Sequence, residues 1–347
     1  MTTQVAFLFP GQGSQAVGMG EDIFTSSAAA RRVFEAVDNA LGFSLSTLCF
    51  QGPEGSLRET INAQPAIVTV SLACLAAFQE ALSPDNAMWT SPLLPAYTAG
   101  HSVGEYAALV TAGAIDLPAA ARLVRERGRL MHHEGSVCAS GMAAIIGMDT
   151  ETLQAICQEA TQQLQTELAA TGELDAHSHP GLGKVAIANY NAPGQIVISG
   201  EQRAINRAGE LAKARGAKRV IPLAVSAAFH SPVMQPAAEQ MTHVLATAPL
   251  TDVTLPIISN IHATPMTSAQ EMRTELAQQI AASVQWTRTI EYLAQAGVTI
   301  FIEIGPGQAL TGMVKRIVKG VTTLNIGSQV EIEKAVAQVQ AMGFVGV

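Results

Sequence analysis

Three side chains in this sequence have a type and setting that could do chemistry together. The first is Ser102, in Gly100-His101-Ser102-Val103-Gly104, between the strand-like approach that begins at Tyr97 and a helical stretch over 103–112 closed by Gly113. A serine on a sharp strand-to-helix turn presents its oxygen at the strand's carboxyl end, and the flanking glycines remove side chains that would clash there. The next amide, Val103, can donate to a developing oxyanion with the helix dipole behind it. A second reading needs no chemistry, because Ser102 and Glu105 have the S-x-x-E spacing of a capping box. That reading accounts for Ser102 but not for His101 or the paired glycines.

The second is Arg127. In the helical segment 116–131, Asp116 reads as the N-cap, and Pro118 falls where a first turn tolerates proline. Ala120, Leu123, Val124, Leu130 and Met131 share one face at three- and four-residue spacing. Arg127 lies on that face, four residues from both Leu123 and Met131, whereas Arg122, Arg125 and Arg129 point elsewhere and can be solvated. An arginine in an apolar stripe is costly without an anionic partner. An internal salt bridge or a snorkelling side chain would answer that cost, and so would a substrate carboxylate held by the planar fork. The third residue is His230, where a strand-like run ends and Pro232 stops regular structure, a loop position suited to a base. His132 and His133 read as the fraying end of the Arg127 helix, and His177 and His179 lack a third metal ligand, so no metal site is expected.

The elements around these residues read as α/β. An apolar run over 5–9 is a buried strand, followed by helices near 28–40 and 66–82, the second apolar almost all round and starting after Pro65. The turn Pro10-Gly11-Gln12-Gly13-Ser14-Gln15 superficially fits a dinucleotide fingerprint, but Gly18 and Gly20 fall inside the helix that reading requires. The alternative is a turn that exposes the Gln12 and Gly13 amides beside the serine. After the Arg127 helix, a strand over 142–147, a helix over 150–168, a hairpin at 185–199 turning on 191–194 and a helix over 201–215 form a compact, ferredoxin-like α+β lobe. Strands at 255–259 and 298–304 then resume the first pattern. The expected architecture is a large α/β domain over 1–137 and 226–347, interrupted by a small subdomain over 138–225.

The 347 residues are 48% hydrophobic and 14% charged, enough for one large core with an appended lobe. A net charge of −8 without long basic runs points away from nucleic acid and from an anionic membrane. Cys49, Cys74, Cys138 and Cys157 form no C-x-x-C pair, which fits a reducing compartment. Met1-Thr2-Thr3-Gln4 lacks a basic n-region, and the apolar stretch 66–78 is too short to span a bilayer, so a cytoplasmic protein is expected.

Taken together, Phe9-Pro10-Gly11-Gln12-Gly13-Ser14-Gln15, Gly100-His101-Ser102-Val103-Gly104-Glu105-Tyr106, Arg127-Gly128-Arg129-Leu130-Met131 and Ala228-Phe229-His230-Ser231-Pro232 closely resemble the malonyl-CoA:acyl-carrier-protein transacylases. Asn191-Ala192-Pro193-Gly194-Gln195, Val284-Gln285-Trp286-Thr287 and Glu303-Ile304-Gly305-Pro306-Gly307 also match, in family order and nearly end to end. The resemblance implies an α/β-hydrolase-like domain with an inserted ferredoxin-like lobe. It implies Ser102 as nucleophile, His230 as base, and the Gln285 backbone carbonyl in place of an acid to orient the imidazole. The Gln12 and Val103 amides would form the oxyanion hole, and Arg127 would hold the malonyl carboxylate, with Met131 and Phe229 beside the acyl group. In related polyketide-synthase transferases a His-Ala-Phe-His sequence accompanies malonyl preference; here it reads Ala227-Ala228-Phe229-His230, and the first position departs.

The implied partners are malonyl-CoA and an acyl carrier protein of fatty-acid or polyketide synthesis, with no resident cofactor, and a monomer is expected. Docking an acidic carrier needs a local positive surface, for which Lys213, Arg215, Lys218 and Arg219, or Lys315, Arg316 and Lys319, are candidates against the plainer reading of a solvated face. The segment 168–183 looks longer than in compact family members and has no assigned role. Other readings of the same elbow are a serine esterase or thioesterase, which gives Arg127 no role, a transferase of broader acyl-CoA use, and a carrier-binding scaffold without turnover.

Overall fold

A computed structural model describes residues 4–82, 93–225 and 227–343. Met1–Thr3 and Ser226 of the segments read above lie outside them. The described strands form two sheets. The large sheet is built from β1 (Gln4–Phe9), β2 (Tyr97–Gly100), β7 (Ile257–Ile258), β8 (Pro265–Met266), β9 (Val298–Ile304) and β10 (Thr322–Ile326), in the order β10-β9-β1-β2-β7-β8. All pairings are parallel except β7 with β8. β1 is buried over Val5–Phe9, as a parallel strand covered by helices on both faces must be.

The small sheet comprises β3 (Ser140–Ile146), β4 (Val185–Ala192), β5 (Gln195–Glu201) and β6 (Arg219–Pro222), wholly antiparallel in the order β4-β5-β3-β6. Helices Thr150–Thr171 and Gln202–Ala214 complete a βαββαβ unit with its own apolar core. The architecture is a hydrolase-like α/β domain carrying a ferredoxin-like lobe. The hairpin turn is tighter than its composition suggests: β4 continues to Ala192, leaving Pro193-Gly194 as the turn with Gly194 at φ 68°.

Two helices depart from the sequence reading. The apolar helix begins at Thr60, not after Pro65, and runs to Leu82 with Pro65 inside it. Proline has no N–H for the Ile61 carbonyl one turn back. Arg125 Nη1 supplies that missing donor at 2.7 Å and also bonds Asn62, so Arg125 is not simply solvated. This helix is long and apolar enough to cross a bilayer, but it is buried in the core of the large domain. The Arg127 helix, Leu117–Val137, starts on an Asp116 cap that accepts from Ala119 N at 2.7 Å. It runs well past His132 and His133, which are exposed within it rather than at a frayed end. The two helices touch at Gly128, where a Cβ would come within 2.9 Å of Ile61 Cα and the Thr60 carbonyl oxygen.

Candidate active site

The Ser102 turn is defined by close packing. A Cβ on Gly100 would lie 1.9 Å from the Gly104 carbonyl carbon, and one on Gly104 would lie 2.2 Å from the Phe9 carbonyl oxygen. Only glycine fits at either position, so the strand can double back into helix Gly104–Ala112 directly over the end of β1. Ser102 itself sits at φ 53°, in the left-handed region. Asn260, just beyond β7, clamps the turn from both sides: its Oδ1 accepts from Ser102 N at 2.8 Å and its Nδ2 donates to Gly100 O at 2.8 Å. Sequence reasoning missed Asn260, which belongs to no local motif. The capping box is not formed, since the helix takes no side-chain cap and the Glu105 carboxyl turns to Gln279.

His230 lies at φ 58° and completes the dyad, with Ser102 Oγ 2.7 Å from its Nε2. Its Nδ1 lies 2.7 Å from the Gln279 carbonyl oxygen and 3.1 Å from that of Ala282. Carbonyls only accept, so the ring proton is on Nδ1 and Nε2 is free to accept from the serine hydroxyl. Burial, and then the Arg127 charge, push the His230 pKa down to about 3, so the ring is neutral at physiological pH.

Gln285 does not orient this ring. Its carbonyl accepts from Thr289 N and starts helix Trp286–Gln295, and its N–H donates to Asn260 O. The orienting carbonyls come instead from Gln279, the C-cap of helix Ala269–Gln278, where the last carbonyls lack intrahelical donors, and from Ala282 in the turn that follows. That helix end was the signal available in the sequence.

Arg127 is fully buried beneath the serine. Nη1 donates to Gln64 Oε1 at 2.7 Å, and Nη2 to Gln279 Oε1 at 2.7 Å and to Ser102 Oγ at 3.2 Å. The guanidinium stands 5.8 Å from the centre of the Tyr106 ring, and among the described residues Nε has no partner. Among the described residues it has no carboxylate within ion-pair distance and it does not snorkel. Among the described residues its charge is met only by neutral groups: the Gln64 and Gln279 amides, the Ser102 hydroxyl and the Tyr106 ring face.

A cleft of about 480 Å³ opens above these groups, between the two lobes. Gln12, Ser102, Met131, Phe229 and His230 line it from the large domain, and Asn191 from β4. No helix opens at the 10–15 turn, as dinucleotide binding would require; the next helix is Glu21–Ser26. The turn is pressed instead against the serine loop, a Cβ on Gly11 falling 2.6 Å from the His101 carbonyl oxygen. Among the described residues the Gln12 and Val103 amides have no protein acceptor. His101 Nε2 lies 2.9 Å from Asn191 Oδ1 and its ring stands 5.3 Å from Trp286, tying the serine loop to the small lobe. His177 and His179 do not form a metal cluster, and no group of three candidate ligands occurs among the described residues.

A serine–histidine dyad backed by carbonyls, with a buried cation beside the nucleophile, defines a serine acyl-transfer enzyme. Residues 6–340 match the acyl transferase domain family, and the chain belongs to it. It is 41% identical over 334 residues to a malonyl CoA-acyl carrier protein transacylase of Bacillus subtilis, covering 96% of each chain. Among solved structures it is similar to an acyl-carrier-protein S-malonyltransferase of Bartonella henselae, with TM-score 0.86 and 38% identity over 98% of this chain and 100% of that one. It is also similar to a malonyl-transacylase solved in complex with its type II polyketide synthase acyl-carrier protein, with TM-score 0.85 and 36% identity over 97% of this chain and 100% of that chain.

Proposed function

We propose that this protein transfers a malonyl group from malonyl-CoA to the phosphopantetheine thiol of an acyl carrier protein, for fatty-acid or polyketide synthesis, through an ester on Ser102. The observation that carries the reading is Arg127, buried with no carboxylate partner among the described residues and 3.2 Å from the nucleophile. An esterase or thioesterase has no use for such a cation, whereas an acyl group ending in a carboxylate answers it. The names of the relatives support the same substrate and the same partner.

His230 takes the Ser102 proton as the oxygen attacks the thioester. The oxyanion is received by the Gln12 and Val103 amides, one such donor being worth about 3 kcal/mol in the barrier. Coenzyme A leaves as its thiol. The carrier's thiol then attacks the malonyl-serine ester, with His230 again passing the proton. Met131 and Phe229 bound the acyl space, and Phe229 crowds the position of a methyl branch. The cycle uses no resident cofactor or metal, since both thiols arrive with the substrates, and we assign it to the cytoplasm.

Intact-protein mass spectrometry with malonyl-CoA tests the reading. The wild type gains one malonyl unit, which a holo carrier then removes, and Ser102→Ala gains none. Arg127→Ala should lower malonyl loading by about two orders of magnitude, with a much smaller loss for acetyl-CoA. Rapid hydrolysis without a carrier, or equal losses on both thioesters, would return the protein to the esterases.

A further inference from the structure

Gln279 reaches the site through three atoms. Its carbonyl oxygen holds His230 Nδ1, its Oε1 accepts from Arg127, and its Nε2 donates to Ser102 O at 3.1 Å and to Glu105 Oε2. The amide therefore has one workable orientation. Flipped, its NH2 would face the Arg127 N–H groups, donor against donor. Two acceptors fix this orientation, Ser102 O and the side chain of Glu105, which lies three residues after the nucleophile with no accessible surface.

The charge state of Glu105 follows from its surroundings. A second buried carboxyl, Glu275 of helix Ala269–Gln278, interacts with it, and two buried like charges do not both ionise readily. Glu275 receives Ser259 Oγ–H at 2.7 Å and Ile261 N–H at 2.9 Å. Glu105 accepts from the Gln279 amide, with Asn260 close enough to favour its charge weakly, and among the described residues its Oε1 has no partner. Burial raises the Glu275 pKa as well, but its two donors make it the better placed of the pair to carry negative charge. Burial and then Glu275 push the Glu105 pKa well upward, in the same direction.

We propose that Glu105 is a positioning residue for carboxylate selection: buried against Gln279, it holds that amide toward Arg127 and leaves the guanidinium charge to be answered by the acyl group. An ionised carboxylate one amide away would partly neutralise that charge before substrate arrived. A side chain with no acceptor would leave one buried amide N–H of Gln279 unpaired, with only Ser102 O to hold it, and loosen the amide against Arg127. The proposal rests on the malonyl reading above.

The experiment measures Ser102 loading from malonyl-CoA and from acetyl-CoA in the full-length protein. Wild type comes first, because absence of malonyl loading there counts against the proposed function and not against Glu105. Glu105→Gln supplies the same acceptor without a titratable proton and should stay within about threefold of wild type on malonyl-CoA. Glu105→Leu should raise the malonyl-CoA KM by about tenfold or more while acetyl loading falls by no more than about threefold. Equal losses on both thioesters, or Glu105→Gln failing as badly as Glu105→Leu, overturns the proposal. Should Glu105→Leu not fold, Gln279→Glu decides. A carboxylate set directly against Arg127 should cut the malonyl-to-acetyl ratio by about tenfold, and an unchanged ratio overturns the proposal.

Discussion

Ser102 and His230 share an uncommon backbone state, φ 53° and φ 58° in residues that carry a Cβ. Such positions cost on the order of 1–3 kcal/mol each and persist only where the surroundings over-determine them. Asn260 does this for Ser102; the His230 N–H bond to Ile280 O does it for the base. Because carbonyls replace a carboxylate behind His230, nothing anionic offsets burial and Arg127, and the ring's pKa falls to about 3. A lowered histidine value has a definite sign. The ring contributes stability above its unfolded pKa, and that contribution is lost as pH falls from about 6.5 toward 3. Catalytically, kcat/KM for Ser102 loading should stay flat between about pH 5 and 7, and an acid limb centred near about 6.5 in a stopped-flow profile would contradict the assigned environment of the base.

At the scale of elements, the segment 168–183 gains a structural role. His179 Nε2 lies 3.2 Å from Glu134 Oε2, and Glu134 stands seven residues beyond Arg127 on the same helix. Two residues later, Gly181 packs where a Cβ would fall 2.5 Å from Val233 Cα, just past the base. The segment thus braces the Arg127 helix and the His230 loop together. His179→Ala leaves the buried Glu134 carboxylate without its partner and should cost about 1–3 kcal/mol in a denaturant titration. Glu134→Leu in that background should recover part of the loss, whereas additive losses would mean the two residues are uncoupled. None of this pairing was legible in the sequence, because His179 and Glu134 are joined by folding rather than by spacing. The Ser102 turn and the buried face of the Arg127 helix were legible, since short-range sterics and helical periodicity write them locally. Pro65 inside its helix was not, because its tolerance depends on Arg125 from another element. Gln285 was misassigned for the same kind of reason: a local motif was given a task that a helix end six residues upstream performs.

At the scale of the molecule, the cleft between lobes must admit a long pantetheine arm while an acidic chain receives an acidic carrier. The candidate basic clusters are no longer equal. Arg215 is paired with Glu159, and Arg316 holds the β4–β5 hairpin through Pro193 O and Gln195, so neither is free to meet a partner without breaking an existing contact. Lys315 and Lys319 are exposed on and just beyond helix Ala309–Ile317, Lys319 Nζ giving one of its three N–H groups to Lys315 O at 2.7 Å, and the first turns of that helix line the cleft through Leu310 and Met313. A carrier that delivers its arm into the cleft would lie against that helix. Rim charges act mainly on association, so Lys315→Glu with Lys319→Glu should raise the apparent carrier KM by about three- to tenfold and weaken its salt dependence. Malonyl loading from the coenzyme A ester, which needs no carrier, should be unaltered. Steady-state transfer at low and high ionic strength separates the outcomes, and a carrier KM that stays at the wild-type value would remove this helix from the docking face and leave the cluster at Lys213, Lys218 and Arg219.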